Sequence, residues 1–204
     1  MEKVRLWTRQ NQKFLEVLEK EGPFYSKKQY IVQKNDTLAG YYIELYDWFV
    51  KHAQQLVPKP EKAEYPIWCS VSDEYMLRGV PGDVLVELCV DRDKVVYFDS
   101  LRWDLVLNHT YIPKDEADAE RFAESIRTRG IKNSFSFLSD YYKRFYPDVV
   151  KEVMQSWDRV FEIDLEQSDK FSTQANIWEI RPEDIVSITE YKAGWRNNQL
   201  RDTQ

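Results

Sequence analysis

The 204-residue sequence is poor in glycine, and the few glycines it has form no phosphate-binding loop. They lie at positions 22, 40, 79, 82, 130 and 194, and match neither G-x-G-x-x-G nor G-x-x-x-x-G-K. Because those loops carry the phosphate groups in Rossmann and P-loop proteins, the sequence excludes both types of site. Gly79 and Gly82 instead predict a turn before a strand.

Cysteine and histidine are equally scarce, with two residues of each. A disulfide scaffold needs more cysteines, and a zinc site needs paired ligands at short spacing. Cys69 and Cys89 lie in strand-like runs, and we interpret them as small buried side chains in a reducing compartment. His52 and His109 have no second histidine within a helical turn, so we predict no metal site.

Long apolar runs and an excess of positive charge are also lacking. The first residues contain no stretch with the length of a signal-peptide core, and no later run is long enough to span a bilayer. The 29 Lys and Arg against 35 Asp and Glu give a net charge of −6, which disfavours a protein that coats nucleic acid. We therefore expect a cytoplasmic protein without a membrane partner.

Aromatic residues, by contrast, are abundant, with 7 Trp, 13 Tyr and 10 Phe. The length fits one domain with a self-sufficient core. No linker or repeat divides the chain. We predict a single globular domain over 1–192 and a polar C-terminal tail over 193–204.

The hydrophobic pattern predicts strands in the N-terminal, central and C-terminal parts and helices between them. The predicted strands are 3–7, 29–33, 65–71, 84–90, 94–98, 173–180 and 185–192. The predicted helices are one capped by Thr8, one capped by Asp36 or Thr37, those over 101–107, 116–127 and 134–146, and one beginning at Pro147. This order indicates an α+β fold with a largely antiparallel sheet. The runs 84–90 and 94–98, separated by a polar turn, are expected to pair as a hairpin.

One stretch is locally basic within this acidic chain. From Arg121 to Arg144, six cationic side chains face only Glu124 and Asp140, which leaves a local charge of +4. Interleaved aromatic residues could stack on nucleobases. The alternative is a buried aromatic face with a charged flank, because Phe135 and Tyr142 have the spacing of core residues. Nucleic-acid binding is expected only through this stretch.

The aromatic anchors of the chain follow a recognisable order. They are Leu6-Trp7-Thr8-x-Gln10, Tyr46-Asp47-Trp48, Tyr65-Pro66-Ile67-Trp68, Phe98-Asp99-Ser100-x-x-Trp103-x-x-Val106-Leu107-Asn108, Ser156-Trp157-x-x-x-Phe161 and Gln174-Ala175-Asn176-Ile177-Trp178-Glu179-Ile180. This ordered set resembles a bacterial family known as domain of unknown function 3841, over nearly the whole chain. The resemblance implies kinship and carries no activity.

A second resemblance concerns the fold. The opening strand with Trp7-Thr8 is similar to the first motif of ADP-ribosyltransferase-type domains, and the strand around Asn176 is similar to their last catalytic strand. Two positions differ: Trp7 stands where those enzymes carry a dinucleotide-binding His or Arg, and Asn176 stands where the catalytic Glu would fall. The resemblance therefore implies a divergent and inactive member of that group, unless a different strand register lets Gln174 or Glu179 substitute.

Two functions remain open at this point. The first is a nucleotide-binding domain, with NAD as the candidate cofactor, and with Glu179 and Asp47 as candidate catalytic carboxylates. Its candidate ligand-binding residues are Trp7, Thr8, Gln10, Trp68 and Gln174. The second is a non-catalytic regulatory or interaction domain, in which the tryptophans form the core and Trp68 or Trp195 anchors a partner. The sequence leaves enzymatic activity and oligomeric state open; an enzyme here would be an NAD- or nucleotide-dependent transferase.

Overall fold

The structure of the chain, a computed structural model, describes residues 2–132 and 135–191. The described strands are β1 (Lys3–Asn11), β2 (Ile67–Ser70), β3 (Asp83–Asp91), β4 (Val96–Asp99), β5 (Thr173–Ile177) and β6 (Ile185–Glu190). The described helices are α1 (Lys13–Glu21), α2 (Lys28–Asn35), α3 (Ala39–Leu56), α4 (Ser100–Leu107), α5 (Glu116–Thr128), α6 (Asp140–Phe145) and α7 (Pro147–Ser156). The tail that we predicted over 193–204 lies outside the described residues.

The six strands form one sheet in the order β4-β5-β2-β1-β3-β6. β1 pairs antiparallel with β2 and β3, and β3 pairs antiparallel with β6. Most of the helices follow one another between β4 and β5. The predicted α+β class, with strands from the N-terminal, central and C-terminal parts around a helical middle, is confirmed.

The predicted hairpin of 84–90 with 94–98 is wrong, because β3 and β4 are not neighbours in the sheet. Both edges of β3 are occupied, one by β1 over nine residue pairs and the other by β6. The residues Arg92–Lys94 form a 3₁₀ turn rather than a tight hairpin turn. The backbone N–H of Arg92 donates to the carbonyl of Glu2, so the turn is tied to the start of β1.

Two other N-terminal predictions are corrected. Thr8 is not a helix cap: β1 continues to Asn11, and α1 begins at Lys13. The segment 29–33 is part of helix α2 rather than a strand. Its β-forming residues wrongly predicted a strand. The carboxylate of Glu64, which is distant in sequence, accepts a hydrogen bond from the backbone N–H of Lys28 and stabilises the first turn of the helix.

The other helix boundaries also show where local patterns succeed and fail. Neither Asp36 nor Thr37 caps α3, because a 3₁₀ turn over Asp36–Leu38 precedes it. Pro147 occupies the first turn of α7 as predicted. The predicted helix over 134–146 is reduced to α6, since the backbone N–H groups of Ser136 and Phe137 bind the carbonyls of Asn108 and His109 instead.

Internal contacts divide the chain into two compact units. The first contains the described parts of 2–30, 59–95 and 175–191, and the second contains those of 31–58 and 96–174. In the first unit, Leu6 and Thr8 of β1 lie opposite Leu88 and Val86 of β3, and all four are buried. Because side chains alternate along a strand, this register places the neighbouring residues of β1 on the other face.

The second unit has an aromatic core centred on Phe49 of α3. The Phe49 ring is fully buried, and its centroid lies 5.6 Å from Phe98, 5.2 Å from Trp103 and 5.0 Å from Phe161. The rings of Phe98 and Trp103 meet it edge to face, a favourable arrangement for aromatic pairs. Asp99 caps α4 by accepting hydrogen bonds from the backbone N–H groups of Leu101 and Arg102. The predicted helices 101–107 and 116–127 correspond to α4 and α5.

A polar network around Asp118 of α5 belongs to the same unit. Its carboxylate accepts hydrogen bonds from the Tyr111 hydroxyl at 2.7 Å, from the Lys114 backbone N–H at 3.0 Å and from the Arg121 guanidinium. The guanidinium of Arg159 lies 3.6 Å from the same carboxylate. The hydrogen bonds from Lys114 and Tyr111 hold the pKa of Asp118 well below its usual range.

We expect Asp118→Asn to lower the free energy of unfolding at pH 7 by about 1–3 kcal/mol, because charge-assisted hydrogen bonds are lost. The lowered pKa stabilises the fold above about pH 4, and this stabilisation disappears as the pH falls further. Urea unfolding between pH 7 and pH 3 checks both effects. Glu120→Gln, the same charge change at an exposed position of α5, is the control. Equal stability of the two variants would contradict the prediction.

Candidate functional site

The candidate site lies around β2, which is the neighbour of both β1 and β5 in the sheet. The pairing of β1 with β2 is short: a single residue pair, Trp7 with Ser70, is in register, whereas β1 and β3 are paired over nine. Backbone groups of β2 beside the rest of β1 therefore depend on other partners. Polar side chains bind one backbone carbonyl at each edge of β2.

Thr8 provides the first side-chain partner. Its hydroxyl donates a hydrogen bond of 2.8 Å to the carbonyl of Trp68, and accepts one of 2.8 Å from the Gln10 side-chain amide. Thr8 is buried and Gln10 is partly exposed. Both are on the face of β1 that carries Leu6. The hydroxyl thus takes the place of a backbone donor and connects Gln10 to β2.

Asn176 of β5 provides the second. It is 1% exposed, and its Nδ2 lies 3.4 Å from the carbonyl oxygen of Ile67. The carbonyls of Ile67 and Trp68 belong to consecutive residues and so point toward opposite edges of β2. Its Oδ1 is buried and has no hydrogen-bond partner among the described residues. We name Thr8, Gln10 and Asn176, with these two carbonyls, the β2 seam.

The predicted ligand-binding residues do not line a single surface. Trp7 lies opposite Ser70 and Glu87, and Trp68, two residues before Ser70, points to the same face of the sheet as Trp7. Thr8 and Gln10 point to the other face. The remaining member, Gln174, is on β5 and is grouped with the second unit by its contacts. The structure therefore brings together Thr8 and Gln10, and separately Trp7 and Trp68.

The two candidate carboxylates have different surroundings. Glu179 accepts a hydrogen bond of 2.5 Å from Nε of Arg181, and its side chain is 13% exposed. Burial raises the pKa of Tyr25, and a hydrogen bond to Glu179 raises it further. Tyr25, Glu179 and Arg181 therefore form a compact ion-paired group. Asp47 lies on α3, exposed, in the second unit.

The locally basic stretch is largely neutralised in the folded protein. Four of its six cations form ion pairs with carboxylates, in the combinations Arg121 with Asp118 and Glu152, Arg127 with Glu124, Arg129 with Asp148, and Lys143 with Glu44. Most of these acidic partners lie outside 121–144, so a local charge count does not include them. This arrangement supports the charged flank of the alternative. Tyr142 is buried as that alternative expects, but Phe135 is 57% exposed, so its predicted core position is wrong.

Sequence reasoning gave Asn176 no binding role, although the structure places it at the centre of the β2 seam. The signal that was available was a strongly polar residue inside an apolar strand, Ala175-Asn176-Ile177. Over the described part of the chain, no group of three or more His, Cys, Asp or Glu side chains is arranged to hold a metal ion. None of the described helices has the length and apolar character needed to cross a membrane.

Comparison with known families assigns the chain to a class defined by sequence. Residues 5–186 match the model of a family described as Domain of unknown function (DUF3841). The match covers most of the chain, including the whole β2 seam, and the protein belongs to this family. Searches of curated proteins and of solved structures found no match.

We expect Thr8→Val to lower the free energy of unfolding by about 1–3 kcal/mol, because it leaves the carbonyl of Trp68 and the amide of Gln10 without this partner. Thr8→Ser keeps the hydroxyl and removes one methyl group, so it should cost only about 1 kcal/mol. Urea unfolding of the two variants measures the difference. A valine variant more stable than the serine variant would show that packing, and not the hydroxyl, matters at this position.

Proposed function

We propose that this protein binds a nucleotide at the β2 seam, with NAD as the first candidate. The observation that carries the proposal is Oδ1 of Asn176, a buried acceptor without a partner among the described residues. Such a group costs about 1–3 kcal/mol when it stays unpaired. A ligand that donates a hydrogen bond to it would recover that free energy.

Nucleotides carry suitable donors, since their bases have amino groups and their riboses have hydroxyls, and NAD also has a carboxamide. Gln10 is partly exposed and adds an amide that both donates and accepts. The two motifs similar to ADP-ribosyltransferase-type domains, on β1 and β5, flank β2 in the sheet. This placement supports a shared site for the two motifs.

The proposed activity is binding without ADP-ribosyl transfer by the usual route. Asn176 stands where the resemblance puts the catalytic glutamate, and an amide has no negative charge to stabilise an oxocarbenium-like transition state. Glu179 and Asp47 remain the candidates for any catalytic carboxylate. The ion pair of Glu179 with Arg181 favours a structural role for Glu179, because the guanidinium already occupies its carboxylate.

Binding is tested by a thermal-shift screen of NAD, other nucleotides and their fragments. A ligand at about 100 times its Kd adds about 2.7 kcal/mol to the free energy of unfolding, and raises Tm by a few degrees at this chain length. We expect Asn176→Leu to abolish this shift. The unliganded variant should be less stable than the original protein by about 1–3 kcal/mol, because leucine also removes the Nδ2 donor to the Ile67 carbonyl, so its ligand-induced shift is measured against its own Tm.

Asn35→Leu is the matched control for this experiment. Asn35, on α2, also donates through Nδ2 to a carbonyl, that of Ile31 at 2.9 Å, but it lies on none of the three strands of the seam. It should keep the ligand-induced shift. A flat screen, or equal ligand shifts in both variants, would reject nucleotide binding at the β2 seam.

The second candidate function is an interaction domain. The observation that favours it is a group of aromatic side chains at and near α6, because Phe135, Tyr141 and Phe145 are each 57% exposed. Exposed aromatic residues of this kind are enriched at protein interfaces. The ring centroids of Tyr141 and Phe145 lie 5.0 Å apart, so the two side chains form a continuous apolar surface.

If this surface is an interface between copies of the chain, light scattering after gel filtration should show a mass that rises with concentration. The double variant Tyr141→Ser/Phe145→Ser should then stay monomeric. Tyr75→Ser/Leu77→Ser, at exposed positions in the first unit, is the control and should associate as the original protein does. A monomer at all concentrations would remove self-association from consideration.

A further inference from the structure

His109 is a buried polar side chain of the second unit that the proposed function leaves unused. It follows Asn108, the residue directly after α4, and has a φ of 53°. That left-handed conformation is uncommon for residues other than glycine, but histidine tolerates it better than most. The backbone N–H of His109 donates to the carbonyl of Val106, and the His109 carbonyl accepts from the backbone N–H of Phe137. Hydrogen bonds from both of its backbone groups therefore stabilise this conformation.

The imidazole of His109 is enclosed between two aromatic rings. It is 8% exposed, its centroid lies 4.9 Å from that of Tyr41 and 6.2 Å from that of Trp157, and its Nε2 has no hydrogen-bond partner among the described residues. The other histidine differs: Nδ1 of His52 lies 2.7 Å from the Trp48 carbonyl. A buried ring nitrogen without a partner calls for a physical explanation.

The ring on the exposed side of the His109 imidazole is that of Tyr41. Tyr41 is 39% exposed, and its hydroxyl donates to the carbonyl of Leu107, at the last residue of α4. Rotation of Tyr41 away from this carbonyl would let water reach the imidazole. Trp157, on the other side, is fully buried and donates from its indole N–H to the carbonyl of Thr110 at 2.8 Å. Of the two rings around His109, that of Tyr41 is therefore the one in contact with solvent.

The charged groups near His109 come from two helices. Glu44 of α3 favours the protonated imidazole and Lys143 of α6 opposes it, and their side chains also pair with each other at 3.4 Å. Burial is the larger effect and lowers the pKa of His109 below its ordinary value of 6.5. The closed structure thus holds a neutral imidazole at pH 7.

We propose that His109 and Tyr41 form an acid-sensitive latch, in which protonation of the imidazole releases Tyr41 and opens the contact of residues 108–109 with 136–137. The proton comes from solvent, and only hydrogen bonds and ring contacts break. The open form accepts the proton more readily because water reaches the ring. The latch is a conformational device of the second unit and does not depend on nucleotide binding.

The direction of the pH effect follows from the lowered pKa. The open form binds more protons than the closed form between pH 6.5 and the lowered pKa of the closed form, so acid favours opening over that interval. The latch is fully closed above that pH. Its closure weakens as the pH falls toward the pKa of the closed form, with the open-to-closed ratio rising by up to tenfold per pH unit.

Hydrogen exchange measured by NMR on the full chain tests the latch. The amides of Ser136 and Phe137 donate across the contact to Asn108 and His109. After correction for intrinsic exchange, their protection should fall by up to tenfold per pH unit below pH 6.5, while amides of the β1–β3 pairing stay protected. His109→Asn, which tolerates the left-handed backbone, should abolish this fall. His52→Asn should leave it unchanged.

Two further measurements test the latch without the His109→Asn variant. If His109→Asn fails to fold, the ring resonances of the original protein still show whether the imidazole titrates together with the loss of amide protection. Tyr41→Phe removes the hydroxyl that binds Leu107, so the pKa of His109 should rise toward 6.5. The proposal is overturned if protection falls equally in His109→Asn, if the imidazole titrates without any loss of protection, or if Tyr41→Phe leaves that pKa unchanged.

Discussion

The long antiparallel pairing of β1 with β3 is the constraint on which the first unit depends. It pairs residues that are distant in sequence, such as Trp7 and Glu87, and fixes the register of β1 over its whole length. Since a slip of one residue would exchange the two faces of the strand, this register decides that Thr8 is buried and that Trp7 lies opposite Glu87. The geometry of the candidate site on β1 therefore follows from this register.

The polar side chains of the β2 seam bind backbone carbonyls at the two edges of β2. Thr8 and Asn176 reach the carbonyls of Trp68 and Ile67 from two neighbouring strands. A sheet stabilised only by its backbone ladder would need no polar side chain there, and burying one costs free energy. The seam therefore satisfies two carbonyls of β2 and leaves one buried acceptor, Oδ1 of Asn176, without a hydrogen-bond partner among the described residues.

Periodicity predicted the elements that depend on local patterns. The helices α4 and α5, the start of α7 at Pro147 and the α+β class all follow from apolar spacing and capping residues. The failures arose where a distant group decided the outcome. Glu64 stabilises α2 against the β-forming residues around Ile31, and β6 occupies the edge of β3 that the predicted hairpin needed for β4.

The candidate site was only partly accessible from sequence for the same reason. The pattern singled out Thr8, Gln10, Trp7 and Trp68, but alternation along the strands separates the first two from the last two. Asn176 attracted attention through a resemblance rather than through its chemistry. Which hydrogen bonds the Asn176 side chain can make depends on the position of Ile67 on β2. The spacing of residues within β5 does not contain that position.

The division of the chain has a consequence for how the protein can be dissected. The backbone passes between the two units after residues 30, 58, 95 and 174, so neither unit is encoded by one uninterrupted stretch of the gene. Removal of residues 1–30, or of those after 174, leaves the first unit incomplete, and a cut after residue 58 or 95 divides both units. No single cut in the chain therefore separates one unit intact from the other.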